Sequence, residues 1–199
     1  MEELVTCEGT VHSIIFQNAE NGYTVLRLLT EEGEVITVVG CIPCVAPGEH
    51  LAVSGVPETH PQHGEQLRAV ELERSLPEDE EEIFSYLSSG ICKGVGPATA
   101  RRIVERFGAE TLDVLEREPE RLTTLKGVTA RKAQEIAESF RQHMGLRRLM
   151  AFLAQYQLPP VLAMELRRQY GDAALEKVRE NPYRLADDIW GIGFKMAEP

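Results

Sequence analysis

Three short segments of this chain have the residue types and spacing to hold an anion. Lys93-Gly94-Val95-Gly96-Pro97 runs into a helical pattern over residues 98–107, with Ala100, Ile103, Val104 and Phe107 on its apolar side. Lys126-Gly127-Val128-Thr129 runs into a second over residues 130–140, with Ala133, Ile136, Ala137 and Phe140 apolar. Trp190-Gly191-Ile192-Gly193-Phe194-Lys195 opens a third. Glycine reaches the positive-φ conformations that a tight turn between two helices requires, and its missing Cβ lets backbone approach backbone. The central Val or Ile is expected to plug the turn into the helix pair. The first amides of the following helix lack an intrahelical acceptor and, with the helix dipole behind them, suit a phosphate. Lys93, Arg101, Lys126, Arg131, Lys132 and Lys195 add charge without reading bases. Gly94, Val95, Gly96, Gly127, Val128, Thr129, Gly191 and Gly193 complete the expected backbone-binding set, whose affinity should be sequence-neutral and salt-sensitive.

A plain connection that packs two helices and binds nothing would account for one such turn. Two well-formed turns 33 residues apart, with a third begun, favour binding. Thr129 stands where the second glycine of the turn would be, and a threonine there can cap the helix.

The elements that position these turns are helical from Ile83 onward, and they repeat. At an offset of 63, Phe107-Gly108 matches Tyr170-Gly171, Leu112 matches Leu175, Pro119 matches Pro182, and Arg121-Leu122 matches Arg184-Leu185. Such fixed-offset matches indicate a duplicated unit. Gly after an aromatic reads as a helix C-cap and Pro as the opening of the next helix. At the same offset Gln157-Leu158-Pro159-Pro160 has lost both glycines and ends in two prolines without N–H donors, so that turn is expected to be a structural spacer.

Ahead of the helices, β-branched runs separated by turn signals predict five short strands, near residues 7–16, 23–29, 35–40, 51–56 and 66–72. Asn21-Gly22 is the strongest of the turn signals. Five strands in that length suggest a small barrel, OB-like or SH3-like. The run Pro77-Glu78-Asp79-Glu80-Glu81-Glu82 reads as a helix first turn, with Pro near its first position and acids facing the dipole. The expected fold class is thus α+β and multidomain: a barrel over residues 1–76, a helical hairpin pair over 77–145 and a second helical unit over 146–199.

Net charge is −11, but it is unevenly placed. Residues 1–90 hold 3 Lys+Arg (Arg27, Arg68, Arg74) against 17 Asp+Glu, a net of −14, and the remainder is +3. The acidic barrel therefore points to a protein partner or a scaffolding role rather than to DNA; Phe16 and Tyr23 are its only aromatics, and either could be core. No apolar run approaches the roughly 18 residues of a membrane span, and Met1-Glu2-Glu3 is the wrong charge for a signal peptide, so a cytoplasmic location is expected. Cys41-x2-Cys44 and His60-x2-His63 could in principle hold zinc, but the His spacing is shorter than usual and no metal is expected. The sequence offers His12, His50, His60, His63 and His143 no nucleophile or base to work with, and no catalytic residue is assigned.

Gly94-Val95-Gly96-Pro97 and Gly127-Val128-Thr129 resemble the helix–hairpin–helix signature. A small barrel containing Asn18-Ala19-Glu20-Asn21-Gly22-Tyr23-Thr24-Val25, then tandem hairpins, then Asp187-Asp188-Ile189-Trp190-Gly191-Ile192-Gly193-Phe194, is similar to the N-terminal region of RecD-like ATP-dependent DNA helicases. That resemblance implies a superfamily 1 motor moving 5′ to 3′ on single-stranded DNA, with its ATPase core after residue 199. It also implies ATP and Mg2+ as cofactors of the parent protein, and DNA and the helicase core as partners of this region. The chain itself has no G-x-x-x-x-G-K-[ST] phosphate loop and is read as a fragment with no cofactor of its own. A Holliday-junction-binding subunit with a barrel and two hairpins is the alternative. Its tail would be a flexible linker and a small bundle, whereas this tail repeats a helical unit. A protein-interaction scaffold, the third possibility, would show no salt-dependent DNA affinity.

Overall fold

In the computed structural model, residues 3–181 are described. The N-terminal strands are β1 Val5–Gln17, β2 Tyr23–Thr30, β3 Val35–Cys41, β4 His50–His60 and β5 Gly64–Ser75. They close into a barrel in the order β1-β2-β3-β5-β4, with β4 returning to β1. Among the described strands, β3 and β5 pair in parallel and the other pairs are antiparallel. This is an OB-like barrel.

Local chemistry sets the turns. Gly22 takes φ +75°, and its N–H donates to the Asn18 carbonyl at 2.9 Å, which reverses the chain between β1 and β2. Along the strands alternate residues point inward, and Val11, Leu26, Leu28, Val38, Leu51 and Val53 fill the interior at 2% exposure or less. The loop before β4 is pinned by a buried ion pair. The fully buried Glu49 carboxylate accepts from the Ala46 N–H at 2.7 Å and from Arg74 at 3.1 Å, and Arg74 also donates to the Pro43 carbonyl at 2.8 Å.

The helices are α1 Glu80–Ser88, α2 Pro97–Phe107, α3 Thr111–Arg117, α4 Ala130–Gln155, α5 Val161–Tyr170 and α6 Ala174–Glu180. The acidic run does begin α1, but Pro77 lies before the cap rather than inside the helix. Asp79 is the N-cap, accepting from the Glu82 N–H at 2.8 Å. Helix α4 runs well past Phe140, where the apolar pattern of the second hairpin was expected to end. Gly145 does not stop it, because Leu149 and Leu153 keep an apolar face buried.

The duplication is seen in backbone angles. Gly108 and Gly171, 63 residues apart, end α2 and α5 at φ +56° and +62°, and each opens a short 3-10 turn into the next helix. The chain divides into two compact units, Met1–Phe140 and Arg141–Pro199. In the first, the barrel is seated on α1. Thr10 and His50 donate to the Glu82 carboxylate at 3.1 and 2.8 Å, and a Cβ on Gly48 would lie 2.2 Å from the Glu82 carbonyl oxygen. The second is built on Leu149, Leu153, Leu158, Ala163, Leu166 and Val178, all buried. Among the described residues no helix is long and apolar enough to cross a membrane.

Candidate nucleic-acid interface

The first hairpin lies between α1 and α2. Cys92 is buried beneath it, and burial pushes its thiol up to about 12, which leaves it unreactive at neutral pH. The Val95 N–H turns back onto the Cys92 carbonyl at 3.2 Å, which requires Gly94 at φ +86°. Val95 is 5% exposed and plugs the turn as its sequence position implies. Gly96 is extended and caps α2 without a side chain, Pro97 follows, and the first helical bond runs from the Ala100 N–H to the Gly96 carbonyl at 2.9 Å.

The second hairpin repeats this 33 residues on. The Val128 N–H donates to the Leu125 carbonyl at 3.1 Å, Gly127 is at φ +85°, and the Ala133 N–H reaches the Thr129 carbonyl at 2.9 Å. Val128 is 7% exposed. Thr129 acts as the cap expected of it, its hydroxyl accepting from the Lys132 N–H at 3.2 Å. Among the described residues nothing accepts from the amides of Gly94, Gly96, Gly127 or Thr129, and all four residues are exposed. Beyond Gly94, Gly96 and Gly127 a Cβ would meet open space. The barrel does not cover either turn.

The two hairpins meet at one cleft of about 310 Å³, lined by Lys93, Gly94, Thr129, Arg131, Lys132, Glu135 and Ile136. Each is held by the helix that follows the other. The Lys93 N–H donates to the Ser139 hydroxyl of α4 at 2.8 Å, and Arg102 of α2 donates to the Lys126 carbonyl. Lys93 and Lys126 occupy equivalent places, 33 residues apart, so the same residue of each hairpin is gripped across the pair. Sequence reasoning missed both Arg102 and Ser139. Nothing in local spacing marks them, since their partners lie 24 and 46 residues away.

Not every expected residue joins this cleft. Arg101 is turned toward α1, 3.7 Å above the Phe84 ring and 3.0 Å from Glu81. Lys126 is exposed beside its turn, outside the cleft lining. Arg131 pairs with Glu135 at 3.1 Å, but at 90% exposure that pair is weak and easily exchanged for a phosphate. Gly191, Gly193 and Lys195 lie outside the described residues. The turn at Gln157 keeps the same plan without glycine: Gln157 is at φ +56°, Leu158 is 6% exposed in the place of Val95, and Pro159 removes the donor that Gly96 supplies, with Pro160 in the place of Pro97.

On the barrel, neither Phe16 nor Tyr23 is core. They are 52% and 44% exposed, with ring centroids 6.3 Å apart. The Cys41 thiol donates to the Asn21 carbonyl at 3.4 Å, and His60 stacks on His63 at 4.6 Å. Among the described residues no three His, Cys, Asp or Glu side chains are grouped to hold a metal.

Comparison with known proteins follows this division of the chain. Residues 4–77 match the family described as ATP-dependent DNA helicase YrrC, OB-fold domain. Residues 84–142 match the SAM-like helix-hairpin-helix tandem, and residues 142–199 match the ATP-dependent RecD2 DNA helicase HHH domain. The ATP-dependent RecD2 DNA helicase of Deinococcus radiodurans is 30% identical over 197 residues, which is 96% of this chain and 27% of that protein. The chain thus spans about a quarter of the length of that relative. Among solved structures, a chain of the S. pombe Stn1-Ten1 complex is 21% identical at a TM-score of 0.30, over 36% of this chain and 57% of that one, too slight a likeness to carry an argument. In domain content, domain order and sequence, the chain resembles the N-terminal region of a RecD2-like DNA helicase.

Proposed function

We propose that this chain is the DNA-gripping accessory region of an ATP-dependent, RecD2-like helicase, and that it holds the nucleic-acid backbone through the two hairpins of its first unit. The observation that carries this reading is the matched pair of exposed turns, with Gly94 and Gly127 at φ +86° and +85° and bare amides at Gly94, Gly96, Gly127 and Thr129. Lys93, Arg131 and Lys132 stand around them. A phosphodiester placed there meets N–H donors and cations but nothing that distinguishes one base from another. The Gln157 turn supports the helices without sharing the load: the Gln157 N–H is bonded to the Ala154 carbonyl at 3.0 Å, and Pro159 has no N–H where Gly96 has one. ATP hydrolysis belongs to the rest of the parent protein, since the chain contains no phosphate loop.

The test is a titration of labelled mixed-sequence duplex at two salt concentrations, comparing the wild type with Lys93→Ala/Lys126→Ala. Each phosphate that a lysine no longer neutralises should lower the slope of log affinity against log salt by about 0.9. Identical slopes and affinities would remove the hairpins from the reading. ATP turnover by the pure chain would refute the assignment of the motor elsewhere.

A further inference from the structure

We propose, resting on the hairpin reading, that the two turns hold backbone by different means and that Glu135 keeps the second hold releasable. Compared at the 33-residue offset, the turns match but the helices that follow them do not. Ala98 and Thr99 stand where the second hairpin has Arg131 and Lys132, and Arg102 stands where it has Glu135. Gly96 caps α2 without a side chain, so among the described residues nothing accepts from the Thr99 N–H. The equivalent amide of the second hairpin, that of Lys132, is spent on the Thr129 hydroxyl at 3.2 Å. The first hairpin thus offers one more bare amide, and the second offers two cations at its helix start. An amide N–H holds a phosphate without neutralising it, whereas each cation adds a salt-dependent contact.

Glu135 brings a carboxylate into a cleft lining that otherwise supplies Lys93, Arg131 and Lys132. Arg131 Nε donates to its Oε1 at 3.1 Å, one turn along α4. A phosphate docking on the second hairpin must take Arg131 from this carboxylate and sit beside its negative charge. The corresponding residue of the first hairpin, Arg102, does the reverse: it holds the Lys126 carbonyl and so braces the pair of turns. As a helix stabiliser the Arg131–Glu135 pair is a poor one, since it is largely exposed and has the cation ahead of the acid, the less favourable order. Its position in the cleft accounts for it better. Both side chains reach water, so the opposition is modest, of the size of one unit charge acting across a few ångströms of solvent. That is enough to make the second contact break easily, which suits a region that must stay on DNA while a motor moves along it.

Titrations of a labelled mixed-sequence duplex with the full 199-residue chain, at two salt concentrations, test this with Glu135→Gln, Arg131→Ala and the two combined. Glu135→Gln should tighten binding about 3- to 10-fold at the lower salt, and steepen the slope of log affinity against log salt by up to about 0.9. Arg131→Ala should weaken binding, and in its presence Glu135→Gln should recover less than half of that gain. A gain of the same size with and without Arg131 overturns the proposal, because Glu135 would then only repel DNA from a distance. So does an unchanged affinity in Glu135→Gln accompanied by a lower melting temperature, which would make the pair a structural one. Weaker binding by Lys93→Ala/Lys126→Ala with no gain from Glu135→Gln defeats this proposal alone. No effect of the two lysines defeats the hairpin reading on which it stands.

Discussion

Gln157 sits in a backbone conformation that most side chains avoid. At φ +56° its Cβ crowds the following carbonyl, at a cost of about 1–2 kcal/mol, which glycine at the equivalent Gly94 does not incur. Glycine loses more entropy on folding, roughly 0.5–1 kcal/mol, so Gln157→Gly is expected to stabilise the second unit by about 0.5–1 kcal/mol. Chemical denaturation would read this as a higher midpoint at unchanged slope; a lower midpoint would mean the glutamine side chain contributes more than its backbone strain removes. Arg74 presents the opposite situation. Its guanidinium reaches a fully buried carboxylate, so Arg74→Met, which removes that cation from Glu49, should destabilise the barrel by about 3–5 kcal/mol. A loss below 1 kcal/mol would show that the hydrogen bonds Glu49 keeps, the one from the Ala46 amide among them, are enough for it.

Strands and hairpins differ in how far they could be read ahead of the structure. All five strands fall where β-branched runs and turn dipeptides put them, because both signals are local. The duplicated helices were legible for the same reason: Gly108 and Gly171 are C-caps whose chemistry is contained in a few residues. The outward placing of Phe16 was not legible. Ser13-Ile14-Ile15-Phe16 has no alternation, and two register shifts, between Val11 and Ser13 and between Ile14 and Phe16, decide which residues face inward. Equally illegible was the mutual bracing of the hairpins, which depends on tertiary contacts of Arg102 and Ser139. That bracing leads to a prediction of its own. Ser139 carries no charge, so Ser139→Ala should leave the salt slope of duplex binding intact while weakening binding about five-fold, the worth of one net hydrogen bond of about 1 kcal/mol. Titrations in parallel at two salt concentrations separate the two effects, and a changed slope would mean that the serine does more than hold the Lys93 turn.

At the scale of the first compact unit, the seam between barrel and helices is where acid should act. Glu82 of α1 faces Thr10 and His50 from the barrel, and its carboxylate also lies 3.4 Å from the Glu78 N–H. Burial alone would raise its pKa. Hydrogen bonds from His50, the Glu78 amide and Thr10, with the charge of His50, outweigh burial and hold it below the ordinary value of 4.5. A carboxyl that is more acidic folded than unfolded binds fewer protons in the native state. Its stabilisation is therefore complete above about pH 4.5 and is lost as pH falls through the lowered folded value. Thermal melts of the wild type should show stability declining through that acid window. Glu82→Gln, which cannot ionise, should be less stable at neutral pH and flatter across the same range. The seam has little tolerance for loosening, because Gly48 at φ +90° already brings backbone against the Glu82 carbonyl, leaving no room for a side chain. If wild type and Glu82→Gln melt with the same pH dependence, the barrel is held on α1 by packing at Gly48 and not by the carboxylate.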